Sequence, residues 1–74
     1  MLIWKKDILA ELKGVGYNTN RIRKENLLSQ STLQKLRERR GLAWENIDMI
    51  CKLLNCQPGD IIEYVPDESG GENP

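Results

Sequence analysis

The sequence predicts an all-α domain of five short helices. Three observations lead there. Apolar residues recur at helical spacing, most clearly Ile47, Ile50, Cys51 and Leu54. Capping and stopping residues divide the chain at short intervals. Alternating strand patterns are missing. A chain of 74 residues has room for one domain. A domain of that size buries only about 60% of its unfolded surface, so the core must be compact.

The first helix is expected over residues 3–13, where Trp4, Ile8 and Leu12 stand four apart with Leu9 beside them. Gly14-Val15-Gly16 stops it. That G-x-G is not a nucleotide loop, because it follows a helix and lacks a third glycine. Asn18 or Thr19 caps a second helix, roughly 19–26, with Ile22 as its core residue. Leu27 and Leu28 form an apolar elbow. Ser29 caps a third helix over about 29–38, held by Leu33 and Leu36 and ended by Arg39-Arg40-Gly41. The clear apolar stripe gives a fourth helix over about 44–54, stopped at Asn55. Pro58 suits the first position of a fifth helix, Asp60 lies near its positive end, and Ile61, Ile62, Tyr64 and Val65 supply its apolar side. The domain is therefore drawn over residues 1–65. PDESGGENP, residues 66–74, is polar, acidic and rich in Gly and Pro, and is expected to be a disordered tail.

Composition narrows the function. No apolar run approaches the length of a membrane span. MLIWKKDILAELK interleaves its charges with apolar residues, unlike a signal peptide, so a cytoplasmic location is expected. Cys51 and Cys56 are too few for a disulfide framework, and without any His they suggest no metal site. Two free, mostly buried thiols are the expectation, with no metal and no cofactor. The Ser, Cys and acidic residues form no recognisable nucleophile–base arrangement, so an enzyme is not expected. The net charge of zero conceals two halves. Residues 1–40 hold ten Lys/Arg against four Asp/Glu, and residues 41–74 hold one against seven. A basic half suits a polyanion, although the halves also suit mutual neutralisation within the fold or across a dimer.

Helix two, the elbow and helix three make a helix-turn-helix pattern. If Leu33 and Leu36 face the core, then Gln30, Ser31, Gln34 and Lys35 face away from it. An ordinary solvated face has such a composition, and so does a recognition helix. Gln pairs with adenine edges, Lys donates to guanine, and Ser serves either.

Context separates the two readings. YNTNRIRKENLLSQSTLQKLR, residues 17–37, and ICKLLNCQPGDIIEYV, residues 50–65, resemble the Cro/lambda-repressor-type (Xre-like) helix-turn-helix regulators, in particular their small single-domain members. The resemblance runs from about Ile8 to Val65. It implies a five-helix lambda-repressor-like fold, sequence-specific binding of double-stranded DNA, and a homodimer. By position it places Gln30, Ser31, Gln34 and Lys35 as base readers. It places Thr19 at a phosphate site at the start of helix two, and Arg39 and Arg40 at another beyond helix three. Asn18 shares the first of these helix ends, and Arg21, Arg23, Lys24 and Arg37 supply further cations around them. Two departures bear on the angle between the helices: Arg23 stands where a small residue is common, and Leu27 where a glycine is common.

A lone domain of this kind makes few base contacts, so a symmetric dimer on an inverted-repeat operator is expected, joined through the helix-five residues Ile61, Ile62, Tyr64 and Val65. The resemblance favours a transcriptional repressor. The alternative is a protein-interaction module on the same fold: an antitoxin-like partner, a co-regulator or an inhibitor. Trp44 and the helix-five residues would then form the patch for that partner, although they equally suit a core or a dimer seam.

Overall fold

The computed structural model describes residues 1–66. Strand β1 (Leu2–Trp4) precedes helices α1 (Ile8–Gly14), α2 (Thr19–Lys24), α3 (Gln30–Arg37) and α4 (Trp44–Leu54). A single 3-10 turn (Pro58–Asp60) then leads into strand β2 (Ile62–Tyr64). The strands pair antiparallel with Leu2 opposite Tyr64, Ile3 opposite Glu63 and Trp4 opposite Ile62. Residues 67–74, nearly all of the expected tail, lie outside the described residues.

The expectation of five helices with no strand is therefore corrected at both ends. At the start, the four-residue spacing of Trp4, Ile8 and Leu12 is helical only from Ile8 onward. Asp7 is the N-cap, its carboxylate accepting the Ala10 N–H at 3.2 Å. Trp4 lies before that cap on β1, paired with Ile62. At the other end Pro58 does open a helical turn. Gln57 and Asp60 cap each other reciprocally, with the Gln57 N–H on the Asp60 carboxylate at 2.9 Å, and the turn closes after three residues. The β-branched and aromatic run Ile61–Val65 then extends against β1. Backbone bonds from the Lys5 N–H to the Ile61 carbonyl and from the Val65 N–H to the Met1 carbonyl, at 2.8 and 2.7 Å, continue the pairing beyond both strand ends.

The core holds Ile8, Leu12, Ile22, Leu28, Leu33, Leu36, Ile50 and Ile61. Every helix contributes at least one of them. On α4 only Ile50 is fully buried, while Ile47, Cys51 and Leu54 are half-buried beside it. Ile61 belongs to this core and not to an outer seam.

All four helices stop the same way. The residue just beyond each last turn takes a left-handed backbone: Gly16 (φ 96°), Asn26 (φ 56°), Arg39 (φ 57°) and Asn55 (φ 54°). The next N–H reaches back five residues, from Tyr17 to Leu12, Leu27 to Ile22, Arg40 to Lys35 and Cys56 to Cys51, at 2.8, 2.9, 2.8 and 3.0 Å. This is the Schellman turn, which satisfies carbonyls at the helix end and brings its two outermost side chains together. The elbow is explained by it. Asn26 takes the left-handed conformation, so no glycine is required at Leu27.

Candidate nucleic-acid interface

Ser29 caps α3 as the sequence suggests, its hydroxyl accepting the Thr32 N–H at 3.2 Å. Leu33 and Leu36 are buried and fix which side of α3 faces inward. Thr32 is a third anchor that sequence reasoning missed. It is 5% exposed, and its hydroxyl lies 2.9 Å from that of Ser29. The signal was present, since 29, 32, 33 and 36 form one helical stripe, but threonine is polar and did not read as buried.

Opposite those anchors Gln30, Ser31, Gln34 and Lys35 are all exposed. They share one side of one helix, but their states differ. The Ser31 hydroxyl lies 3.1 Å from that of Ser29. Gln34 is held along the helix: its amide donates to Glu38 at 2.8 Å, and its carbonyl accepts from Arg37 at 3.2 Å. Glu38 also accepts from the Arg40 guanidinium at 3.2 Å. The Gln34 bond, then Arg40, holds the Glu38 carboxyl below its usual range. These two bonds use one of the two amide hydrogens and one of the two carbonyl lone pairs of Gln34, which leaves one of each for a further contact.

The basic residues also divide. Arg21 is committed to the fold. Its Nε donates to Glu25 at 2.8 Å, its terminal nitrogen donates to the Gly16 carbonyl at 3.1 Å, and its guanidinium stacks 4.3 Å from the Tyr17 ring centroid. The Glu25 bond raises the Arg21 pKa above its ordinary value. Asn18 likewise serves as the α2 N-cap, accepting the Arg21 N–H at 2.8 Å. Arg23, Lys24, Arg37 and Arg39 are exposed, and none joins the two ion pairs found among the described residues.

A cleft of about 510 Å³ opens where the starts of α1 and α2 meet the end of α3. Asn18, Thr19, Arg37 and Arg39 line it together with Lys6 and Lys13, two cations the sequence reading did not assign. Nothing in their spacing marks them, because only the fold brings residues 6, 13, 19 and 39 to one wall. The Trp4 indole borders the same cleft and donates from Nε1 to the Arg40 carbonyl at 2.9 Å. The small sheet is thereby latched to the loop that follows α3.

These elements are those of a helix-turn-helix with a cationic surround. Residues 5–67 match the family model described as the Cro/C1-type HTH DNA-binding domain. A 32-residue stretch is 47% identical to YozG of Bacillus subtilis (strain 168), described as an uncharacterized HTH-type transcriptional regulator. That stretch covers 43% of this chain and 38% of the relative. No solved structure matches the chain. Among the described residues no helix is long and apolar enough to cross a membrane.

Proposed function

The chain belongs to the Cro/C1-type helix-turn-helix DNA-binding family, and on that premise we propose that it is a sequence-specific transcriptional regulator of double-stranded DNA, acting as a repressor in the cytoplasm. The observation that carries this reading is α3. Thr32, Leu33 and Leu36 anchor one side, and Gln30, Ser31, Gln34 and Lys35 stand exposed on the other. In the major groove Gln30, Ser31, Gln34 and Lys35 read base edges. The unpaired first-turn amides of α2 at Thr19, with Lys24, Arg37, Arg39 and Arg40, hold the flanking phosphates. Asn18 and Arg21 act there through the α2 cap that they build. Residues 1–65 form the DNA-binding domain.

The protein acts as a homodimer on an inverted repeat, with half-sites about 34–36 Å apart. Its seam is the sheet and not a fifth helix. Side chains alternate across a strand, so Leu2, Trp4, Ile62 and Tyr64 share one face. The inner pair, Trp4 and Ile62, packs against the core, while Leu2 and Tyr64 remain 70% and 66% exposed. Met1 and Val65 extend the uncovered apolar area.

Selection of duplex fragments by the purified protein, followed by titration of the winner at several salt concentrations, tests the proposal. An enriched inverted repeat bound by two chains, with affinity falling steeply as salt rises, is the expected result. A protein that shifts no duplex even at low salt would be a protein-interaction module, and the reading would fail.

A further inference from the structure

Two side chains remain that neither the groove-facing helix nor the basic cleft uses. Cys51 and Cys56 are both free, both half-buried, and both packed against the core. They occupy the two outermost positions of the Schellman turn that ends α4, where the left-handed Asn55 folds the chain back. In α1 and α2 the same two positions hold Leu12 with Tyr17 and Ile22 with Leu27, all in or against the core. At the end of α4 the apolar pair is a pair of sulfurs.

The geometry suits a covalent bond. The Cys56 N–H donates to the Cys51 carbonyl at 3.0 Å. From Cα through that carbonyl, across the hydrogen bond and on to the second Cα is about 7 Å at full stretch, and every bend on the path shortens it. A disulfide needs Cα atoms about 4.4–6.8 Å apart. Burial pushes the Cys51 thiol up first, and the neighbouring Cys56 thiol pushes it further. Asp48 and Asp60 act in the same direction. All of these oppose a thiolate, and none opposes a neutral disulfide.

We propose that Cys51 and Cys56 form a reversible intramolecular disulfide that staples the C-terminal turn of α4 to the segment leading into β2. The oxidant is a low-molecular-weight disulfide. The Cys56 thiolate attacks one of its sulfurs, forming a mixed disulfide and expelling one thiolate. Cys51 then loses its proton and attacks the Cys56 sulfur, expelling the second. Two protein thiols and one external disulfide become one protein disulfide and two small thiols. Cys56 attacks first because it lies beyond the helix, whereas Cys51 is the sulfur whose thiolate is disfavoured. The cap already holds the pair, so closing the ring requires no rearrangement of α4.

The test equilibrates the full chain in glutathione disulfide/glutathione buffers, quenches with iodoacetamide, and weighs the products. Folded protein should lose the mass of two hydrogens, resist alkylation at both cysteines, and recover on adding dithiothreitol, independently of protein concentration. In urea the same ring should form less readily, by at least about tenfold in equilibrium constant, because a staple that fits the fold is stabilised by it. The oxidised protein should melt higher than the reduced one. Cys51→Ser should give only the glutathione adduct at Cys56, and Cys56→Ser only the adduct at Cys51. Stable adducts on both cysteines of the unmutated chain, cross-links between chains, or a ring that forms more readily in urea would each overturn the proposal. These readouts follow sulfur chemistry and stability alone, so they are independent of what α3 binds.

Discussion

Arg39 sits where backbone and charge pull in opposite directions. Its φ of 57° places it in the left-handed region, which costs an ordinary residue about 1–2 kcal/mol. Glycine escapes that cost but has more freedom to lose on folding, about 0.5–1 kcal/mol. Arg39→Gly should therefore stabilise the free protein by about 0.5–1 kcal/mol net. For a domain of this size that corresponds to a rise in Tm of roughly 2–8 °C. Arg39 lines the basic cleft and takes no part in either ion pair, so no ion pair is lost with it. Binding should move the other way. Removing one phosphate contact lowers the slope of log affinity against log salt by about 0.9 per chain. Arg39→Ala is the control, since it removes the same cation and keeps the left-handed penalty. Thermal melts and salt-dependent titrations of both variants separate the two effects. Equal melting temperatures for the glycine and alanine variants would refute the backbone reasoning, and an unchanged salt slope in both would remove Arg39 from the phosphate set.

Other expectations follow from single residues. Ile50→Ala should cost about 2–5 kcal/mol, because Ile50 is fully buried, and Leu54→Ala distinctly less, because Leu54 is half-buried; denaturant unfolding of the pair checks the order. Trp4→Phe keeps an aromatic ring, though a smaller one, and loses the indole bond to the Arg40 carbonyl, so it should lower stability by at least about 1 kcal/mol and leave the salt slope of DNA binding intact. Gln30→Ala should weaken the operator by about 1–3 kcal/mol and random duplex hardly at all, and equal weakening on both would move base reading to Gln34 and Lys35. The Glu38 carboxyl should titrate below the ordinary glutamate value of 4.5, as followed by its side-chain carbon resonance. Its folded pKa is depressed, so the stabilisation it contributes is complete above the unfolded value and fades as pH falls through the lower folded one; Gln34→Ala should raise that midpoint.

The middle of the chain was legible because its signals are local. Ser29 and Asn18 each accept from an amide three residues on, and Ile22, Leu33 and Leu36 have no competing partner. The ends were not legible, because a two-stranded sheet depends on residues about sixty apart. Leu2 pairs with Tyr64 and Trp4 with Ile62 across the four helices that separate them in sequence. A four-residue spacing across Trp4, Ile8 and Leu12 is what a helix would show, and only Asp7 breaks it. An Asp directly before an apolar helical run is an N-cap signal, and it outweighs the period on its far side. The basic cleft was half legible: the family resemblance pointed to Thr19 and Arg39, whereas Lys6 and Lys13 reach it only through the packing of α1.

The helix ends show how fold and proposed function share one device. Two of the four Schellman turns close on apolar pairs and a third on the two cysteines, all of them in or against the core. The turn after α3 closes on Lys35 and Arg40, both exposed. A bundle needing only stability would use apolar side chains there as well. With a cationic pair in their place, α3 relies on Thr32, Leu33 and Leu36 along its length and on the Trp4 latch beyond its end. A local rule broken at one of four equivalent positions, with the stabilising contact supplied from a distant strand, is the pattern expected where a surface has a second task. Lys35 and Arg40 therefore mark the end of α3 as the place where the proposed groove reading would meet the proposed backbone contact. The sheet that latches that end leaves Leu2 and Tyr64 exposed on the part of its face that extends past the core, so the proposed pairing of two chains through them would act directly on the segment that follows α3.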